Sequence, residues 1–552
     1  MNQRLTIMKN FRIGLCVFTI SLIAFTSLKA QNQSIPYAPD QYRRPENYKP
    51  EHYQYSLNEL KDKFSEELMK KSAEVFERVG KINEQGKWKP VPESIDLHKA
   101  PEWFLDAKFG MFIDWGLWSI AGWAPKTENG PMYPDWYELR LHTDSAFMAY
   151  HEKNWGKDFR RDDFIPFFQA RAYHPEKLVN IAKKAGMKYV VPFNKHHSGF
   201  CLWPSSFTLR DAGDMGPKKD LIKPLVENCR KEGLKFGFYF SIEEWEYPII
   251  DERGNLQKRE WGGKINPYEP ELEYKSTGKI AVRNFAKDYL VPQAIEFIER
   301  YDPDLIWYDG DWNTNVKELH TYDIAAYFYN KAEGRKQVAV NDRYGANEGE
   351  KWQRSKRGDF FTNEYGDMEK EVKQSIHAWE ECRGISQSFG FNWQDTEHNV
   401  ITSKAFIDMF VDIVAHGGNL LLIVNLDGQG ALPQVQKTRL MDIGRWLKVN
   451  GEGIYATRPY QQQTEGSISY TQSKDGRNIY AILKEWPGDQ LRIKGVKAVN
   501  GSKVELLGYK KALEWIDSGD GMVVRFPDEL KNDKNKPCEH AWVVKIKKIT
   551  DQ

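Results

Sequence analysis

Little in this sequence points to a charged partner, a metal or a membrane. Five cysteines are scattered through 552 residues, at spacings that match neither a zinc site nor a dense disulfide framework. Basic and acidic residues number 79 and 78. The formal charge of +1 leaves no electrostatic footprint for nucleic acid or an anionic lipid surface. Past the N-terminus no stretch reaches the ~20 apolar residues of a transmembrane helix, and no internal repeat or low-complexity tract is found. What the chain has in quantity is aromatic residues, 14% of the total with 19 tryptophans. Such rings fill cores, and they also offer flat apolar faces to sugar rings.

Arg4, Lys9 and Arg12 precede an apolar stretch from Ile13 to Phe25, followed by TSLKAQ. This pattern reads as a secretory leader over residues 1–30, cleaved after Ala30, and sets the expectation of a secreted or periplasmic protein. Cys16 lies inside the apolar run without small residues before it, which argues against a lipid anchor. Cys201, Cys229, Cys382 and Cys538 read as buried thiols. Within 31–98, residues 31–50 are rich in Pro, Gln and Asn and read as a flexible lead. Residues 56–80 read as a charged surface helix, ended by KWKPVPESID. A chain of this length needs more than one core.

From 99 to 454 short apolar runs alternate with helical patterns. Eight runs read as buried strands: KFGMFIDW (108–115), MKYVVPFN (187–194), LKFGFYFS (234–241), LIWYDGD (305–311), QVAVNDR (337–343), DFFTNEY (359–365), ISQSFGF (385–391) and NLLLIVNL (419–426). Segments such as PEKLVNIAKKAG and SKAFIDMFVDIVAHGG separate several of them as helices. The alternation suits a parallel sheet, open or closed. The polar residues decide for an α/β architecture of the (β/α)8 TIM-barrel type. Asp114, Lys195-His196-His197, Asp309, Asn341 through Arg343, and Glu364 follow C-terminal strand ends, which a barrel gathers at one mouth. From residue 455 the helical period vanishes. Short alternating segments such as NIYAILKEW, KVELLGY and AWVVKIK predict a C-terminal β-sandwich over 455–552.

The stretch WYDGDWNTN, residues 307–315, carries the sharpest chemistry. Strand alternation puts Leu305, Trp307 and Asp309 on one face, so a Trp307 turned to the barrel axis brings Asp309 to the mouth. Asp311, beyond a glycine, is expected to turn outward. The same rule groups Phe360, Thr362 and Glu364. Two carboxylates about one aromatic cavity are what glycoside cleavage uses: one attacks the anomeric carbon or activates water, and the other protonates the leaving oxygen. Each taken alone also fits a capping or salt-bridged carboxylate. His196 and His197 are neighbours in an extended segment and should point oppositely. That disfavours a shared metal and leaves hydrogen bonding to sugar hydroxyls as their use. No ordered ligand spacing supports a metal-dependent hydrolase, and no metal or other cofactor is expected.

KFGMFIDWGLWS, PDWYE, KYVVPFNKHHSGFCLWPS, LKFGFYFSIEEW, PDLIWYDGDW, VAVNDRYG and WEECRGISQSFGFN occur in the order found in the α-L-fucosidases of glycoside hydrolase family twenty-nine. The chain resembles that family from about 100 to 460. The resemblance implies an irregular (β/α)8-like catalytic domain followed by a β-sandwich, and hydrolysis of terminal α-L-fucose with retention. It implies Asp309, in W-x-D-G, as nucleophile. Glu364, whose TNEY resembles T-P-E-Y, is implied as general acid/base, with Glu380 of AWEEC as the alternative. Asp135, Trp136, His196, His197, Trp307 and Arg343 would line the sugar site. Tyr239 with Phe389 and Phe391 would wall the pocket for the C6 methyl. The implied partner is a glycan with a terminal α-L-sugar, and a homo-oligomer is compatible with this reading.

Three motifs depart from the family. Its F-I-H-W-G reads FIDWG, so Asp114 replaces a histidine. Its E-W-Y reads DWY at Asp135, one methylene shorter, and its W-G-Y reads FGF at 389–391. These changes bear on the sugar more than on the mechanism. L-Galactose is L-fucose with a hydroxyl on C6, and a nearby carboxylate can accept a bond from it, so an α-L-galactosidase stands as the alternative. A non-catalytic sugar-binding protein would keep the aromatics and histidines without needing both Asp309 and Glu364.

Overall fold

The computed structural model describes residues 35–50, 56–126, 132–257, 278–347, 357–365 and 378–547. The expected leader lies outside the described residues. Among the described residues eight strands build the main sheet of the first domain: β1 Phe109–Asp114, β2 Tyr189–Lys195, β3 Lys235–Ser241, β4 Leu305–Asp309, β5 Ala339–Val340, β6 Phe360–Glu364, β7 Ala378–Gly384 and β8 Gly418–Asn425. They pair in parallel in the order β5-β4-β3-β2-β1-β8-β7-β6. The two end strands meet at one parallel bridge, Asn341 to Phe360. The Asp359 amide supports it on the Val340 carbonyl at 2.9 Å. The result is a nearly closed barrel with its strand ends at one mouth.

Sequence explains most of these elements directly. Every residue of β1, β2 and β8 is buried, as expected of parallel strands walled in by helices. The helix Pro175–Ala185 opens on proline and stops at Gly186, whose φ of 92° only glycine adopts without strain. It buries Leu178, Val179, Ala182 and Ala185. The helix Lys223–Glu232 repeats the device with Pro224 and Gly233.

Three expectations need correction. The seventh strand is Ala378–Gly384 and not 385–391. ISQSFGF alternates like a strand, but it makes only isolated bridges, Met132 to Ser388 and Ser386 to Val400, and Gly390 turns it with φ 80°. The true strand was obscured by its charges, since Glu380 and Glu381 are both buried. The fifth strand is also shorter than expected, pairing only over Ala339–Val340. Finally, residues 35–50 are packed and not a loose lead. The Ala38 amide donates to Asn154 Oδ1 at 2.8 Å, Arg44 pairs with Asp158 at 2.7 Å, and the rings of Tyr42 and Phe391 lie 5.3 Å apart.

The surface helix runs Leu57–Gln85, longer than the sequence pattern suggests. It begins at a capping box in which Ser56 Oγ accepts from the Glu59 amide at 3.2 Å and Glu59 Oε2 from the Ser56 amide at 2.7 Å. After the barrel come β9 Thr457–Glu465, β10 Ile468–Ser473, β11 Asn478–Leu483, β12 Gln490–Lys494, β13 Val504–Leu506, β14 Ala512–Asp517, β15 Gly521–Arg525 and β16 Trp542–Lys547. They form an antiparallel sheet ordered β9-β10-β11-β16-β13-β14-β15-β12. It surrounds its own core of Tyr470, Ile479, Ile493, Val504, Met522, Val544 and Ile546. Trp446 donates its indole N–H to the Ala541 carbonyl at 2.8 Å, joining this domain to the barrel's last helix. Cys201, Cys229, Cys382 and Cys538 are free thiols. Among the described residues no helix is long and apolar enough to cross a membrane.

Candidate active site

Asp309 closes β4 at the mouth, on the same side as Trp307. Its Oδ2 accepts the Tyr239 hydroxyl at 2.7 Å and lies 3.3 Å from His197 Nε2. Its Oδ1 accepts from Arg343 Nη1 at 2.9 Å. Tyr239 stands opposite Trp307 in the β3–β4 register, so adjacent strands deliver both groups to one layer. The His197 Nδ1–H donates to the Glu243 carbonyl at 2.9 Å, which turns Nε2 toward Asp309. Burial pushes the Asp309 carboxyl up, but His197, Arg343 and Tyr239 together hold it far below the usual carboxylate range. Asp309 is therefore ionised at any ordinary pH.

Arg343 is the hub of the site. Besides Asp309 it binds Glu364 through Nη2, and its Nε donates to Thr362 Oγ1 at 2.9 Å. Thr362 Oγ1 in turn donates to Asp342 Oδ1 at 2.7 Å. The guanidinium lies over the Trp307 ring, 4.6 Å from its centroid. Thus one planar fork spans two carboxylates, a geometry that lysine cannot reproduce. The Asp309 side chain is 14% exposed and that of Glu364 27%, so Glu364 faces the more open side. Glu380, the alternative acid/base read from sequence, is not at the mouth. It is fully buried, accepting from Trp307 Nε1 at 2.9 Å and from the Tyr189 hydroxyl.

A second acidic group forms the floor. Asp114, ending β1, accepts the Trp118 indole N–H on Oδ1 at 2.9 Å, while its buried Oδ2 has no hydrogen-bond partner. Burial pushes the Asp114 carboxyl up to about 7. Asp135 is 2% exposed, and burial together with the nearby Asp114 raises it well above its ordinary range. Its Oδ2 lies 3.5 Å from His196 Nε2. Asp135 Oδ1 and His196 Nδ1 are likewise buried without partners. Burial and the neighbouring His197 hold His196 neutral. Buried polar atoms left open are costly unless a ligand satisfies them; here three of them belong to neighbouring residues.

Both histidines face the site, their rings 4.5 Å apart. The expectation that they diverge fails because the chain leaves β2 at Lys195 and turns, reaching Gly199 at φ 78°. Lys195 points away and pairs with Glu244 at 3.1 Å in the interior. Asp311 is 2% exposed, not turned outward, because Gly310 at φ 96° breaks the strand alternation. Trp136 lies on the open rim, its ring 6.1 Å from His197. Phe112 and Tyr239 adjoin at 5.6 Å. Phe389 sits apart from them, beside Tyr133 at 5.3 Å and Tyr365 at 5.5 Å.

Sequence reasoning missed several supports. Trp118 is four residues past Asp114, a spacing that places its indole over the carboxylate once the chain turns helical after β1. Trp245 and Trp312 flank His197, at 5.8 and 4.7 Å. Glu243 Oε1 accepts the amides of Asn313 and Thr314, anchoring the loop that follows Asp309. All lie within motifs quoted above, but no pattern of spacing marks them. Among the described residues no group of three or more His, Cys, Asp or Glu is arranged to hold a metal ion.

Comparison with known proteins bears on this geometry. Residues 75–452 match the family model for α-L-fucosidase, and residues 461–547 that for the α-L-fucosidase C-terminal domain. The chain is 32% identical over 461 residues to a tissue α-L-fucosidase of Bos taurus, covering 82% of this chain and 90% of that one. A tissue α-L-fucosidase of Rattus norvegicus is 29% identical over 465 residues, covering 83% and 92%. The solved α-fucosidase of Thermotoga maritima in complex with fucose superposes with a TM-score of 0.65 at 29% identity, covering 83% of this chain and all of that one. Its complex with a mechanism-based inhibitor gives a TM-score of 0.67. A barrel mouth with paired carboxylates and an antiparallel second domain, matched by both models over most of the length, places this chain in the α-L-fucosidase family of glycoside hydrolases.

Proposed function

We propose that this enzyme removes terminal α-L-fucose from glycans by double displacement, with Asp309 as nucleophile and Glu364 as general acid/base. The observation that carries the reading is the Arg343 fork. One guanidinium reaching both carboxylates favours the short separation of retaining glycosidases, about 5–5.5 Å, over the ~6.5–9.5 Å of inverting ones. Asp309, ionised and aligned by His197, Tyr239 and Arg343, attacks the anomeric carbon. Glu364, on the more open side, protonates the departing oxygen and then takes a proton from the incoming water. The fucose-bound and inhibitor-bound Thermotoga maritima relatives support fucose as the sugar. Proton NMR during hydrolysis of an aryl α-L-fucoside tests the reading. The α-anomer should form first, and initial release of the β-anomer would refute retention.

A second reading, α-L-galactoside, is favoured by one observation. Asp114 Oδ2 is buried and unpartnered. A site with an open buried polar atom discriminates against an analogue lacking the matching hydroxyl. The ratio of kcat/KM for aryl α-L-fucoside and α-L-galactoside, in wild type and Asp114→His, decides between them. An unchanged ratio removes Asp114 from sugar selection. The leader read at residues 1–30 supports export, which N-terminal sequencing of secreted or periplasmic protein starting at Gln31 would test.

A further inference from the structure

Glu380 is a buried acid that double displacement does not use. It lies on β7, whereas its partners lie on β2 and β4: the Tyr189 hydroxyl donates to Oε2, and Trp307 Nε1–H donates to Oε1 at 2.9 Å. The side chain therefore reaches across the barrel interior, and it is 0% exposed. Strand β1 makes room for this link. A Cβ at Gly110 would stand 2.4 Å from the Tyr189 ring. Burial pushes the Glu380 carboxyl up to about 7, against the hydrogen bonds of Tyr189 and Trp307. A carboxyl in such a place is less favourable than an apolar side chain of the same volume, so its presence calls for a reason.

The reason stands directly above it. The Trp307 indole carries the Arg343 guanidinium 4.6 Å from its centroid, and Tyr239 stacks on it at 5.8 Å with an interplanar angle of 21°. Arg343 grips Asp309 Oδ1 and Tyr239 grips Oδ2. Two of the contacts that hold Asp309 thus rest on one ring. Stacking tolerates sliding and rotation about the broad χ2 of tryptophan. The directional N–H to Oε1 bond does not.

We propose that Glu380 is a positioning residue for the reaction: it fixes the Trp307 indole, and through that ring the Arg343 and Tyr239 contacts that align Asp309. The inference rests on the role proposed above for Asp309. Glu380→Met removes the acceptor and keeps the bulk, while Trp307→Phe removes the donor and keeps a ring. Each should lower kcat on an aryl α-L-fucoside by about 10- to 100-fold, because a displacement of about 1 Å costs on the order of 10²-fold. KM should stay within about threefold, and the double variant should be no slower than the poorer single, since both cut one link. Glu380→Gln, which keeps an acceptor oxygen, should restore kcat to within about fivefold of wild type. Additive losses in the double variant, or wild-type kcat in Glu380→Met, overturn the proposal. If thermal melting shows that Glu380→Met does not fold, Glu380→Gln in wild-type and Trp307→Phe backgrounds runs the same cycle. Its effect must vanish in the second background, and persistence there overturns the proposal. Wild-type protein inactive on the fucoside would refute the functional reading instead. Loss of activity in Asp309→Ala beside an additive cycle would refute this inference alone.

Discussion

Replacing Arg343 with lysine tests the site at its hub. The arginine makes hydrogen bonds to Asp309, Glu364 and Thr362 and lies flat on Trp307. Lysine keeps the positive charge, so the two carboxylates are not left without a cation and folding should survive. It offers one compact ammonium where the fork had three directed N–H groups, and it reaches one carboxylate only. Loss of one charge-assisted hydrogen bond, with the alignment it gives, comes to roughly 2–4 kcal/mol. If that loss falls on the transition state, kcat drops about 30- to 900-fold. The pH profile should move too. Arg343 is among the groups holding the Asp309 carboxyl low, and the nucleophile must be ionised. With weaker support its pKa rises, so an acid limb of kcat/KM that lies below the ordinary pH range in wild type moves up toward it. Initial rates on an aryl α-L-fucoside across pH, with a thermal melt to verify folding, give both readouts. A kcat within fivefold of wild type together with an unmoved acid limb would refute the hub.

Asp309→Ala should lower kcat by several powers of ten with near-native melting, and azide should restore turnover by forming the inverted glycosyl azide; near-wild-type turnover without azide would sink the assignment. Glu364→Ala should slow substrates with poor leaving groups far more than activated aryl glycosides, measured as kcat/KM against leaving-group pKa; equal losses across the series would point elsewhere. Asp114→Asn should change how stability depends on pH. Below about 4 both folded and unfolded states hold the Asp114 proton. Between its ordinary 3.8 and about 7 only the folded state does, so wild-type stability falls as pH rises through this window. The loss is complete above about 7 and reaches at most about 4 kcal/mol. Denaturant titrations should show the variant gaining on wild type from pH 4 to 7 and the gap then levelling. A constant gap would show that Asp114 does not carry that proton.

The barrel was readable because its strands are continuous apolar runs and its helices open on proline and stop on glycine. The paired carboxylates were readable because strand alternation carries Trp307 to Asp309 and Thr362 to Glu364. Each failure came where the backbone leaves a repeating geometry. Gly310 and Gly390, both at positive φ, reset the side-chain direction that alternation would have continued, so Asp311 and the 385–391 segment were misjudged. Adjacent histidines converge because the turn after Lys195 is invisible to a period of two. Glu380 was misjudged for a different reason. Its AWEEC motif resembles an acid/base segment and made it the alternative to Glu364, whereas two donors from distant strands keep it inside. A proline-rich lead, likewise, says nothing of the Asn154 and Phe391 surfaces it packs against.

The bridge between Asn341 and Phe360 is the lap joint of the barrel. Every other neighbouring pair of strands shares a ladder, while here the described chain is closed by one bridge, the Asp359 contacts and the side-chain bonds that join Thr362 to Asp342 and Arg343. Arg343 leaves one side of that joint and Glu364 tops the other. Opening fluctuations begin where cross-strand bonding is thinnest, so amides at 339–341 and 359–361 should take up deuterium ahead of β1 and β8. The fork that joins Arg343 to Glu364 is therefore also a clasp across this joint, and a sugar that engages both sides would fasten it. Mild warming should cost the enzyme its turnover before its circular dichroism changes, with bound ligand closing the gap between the two.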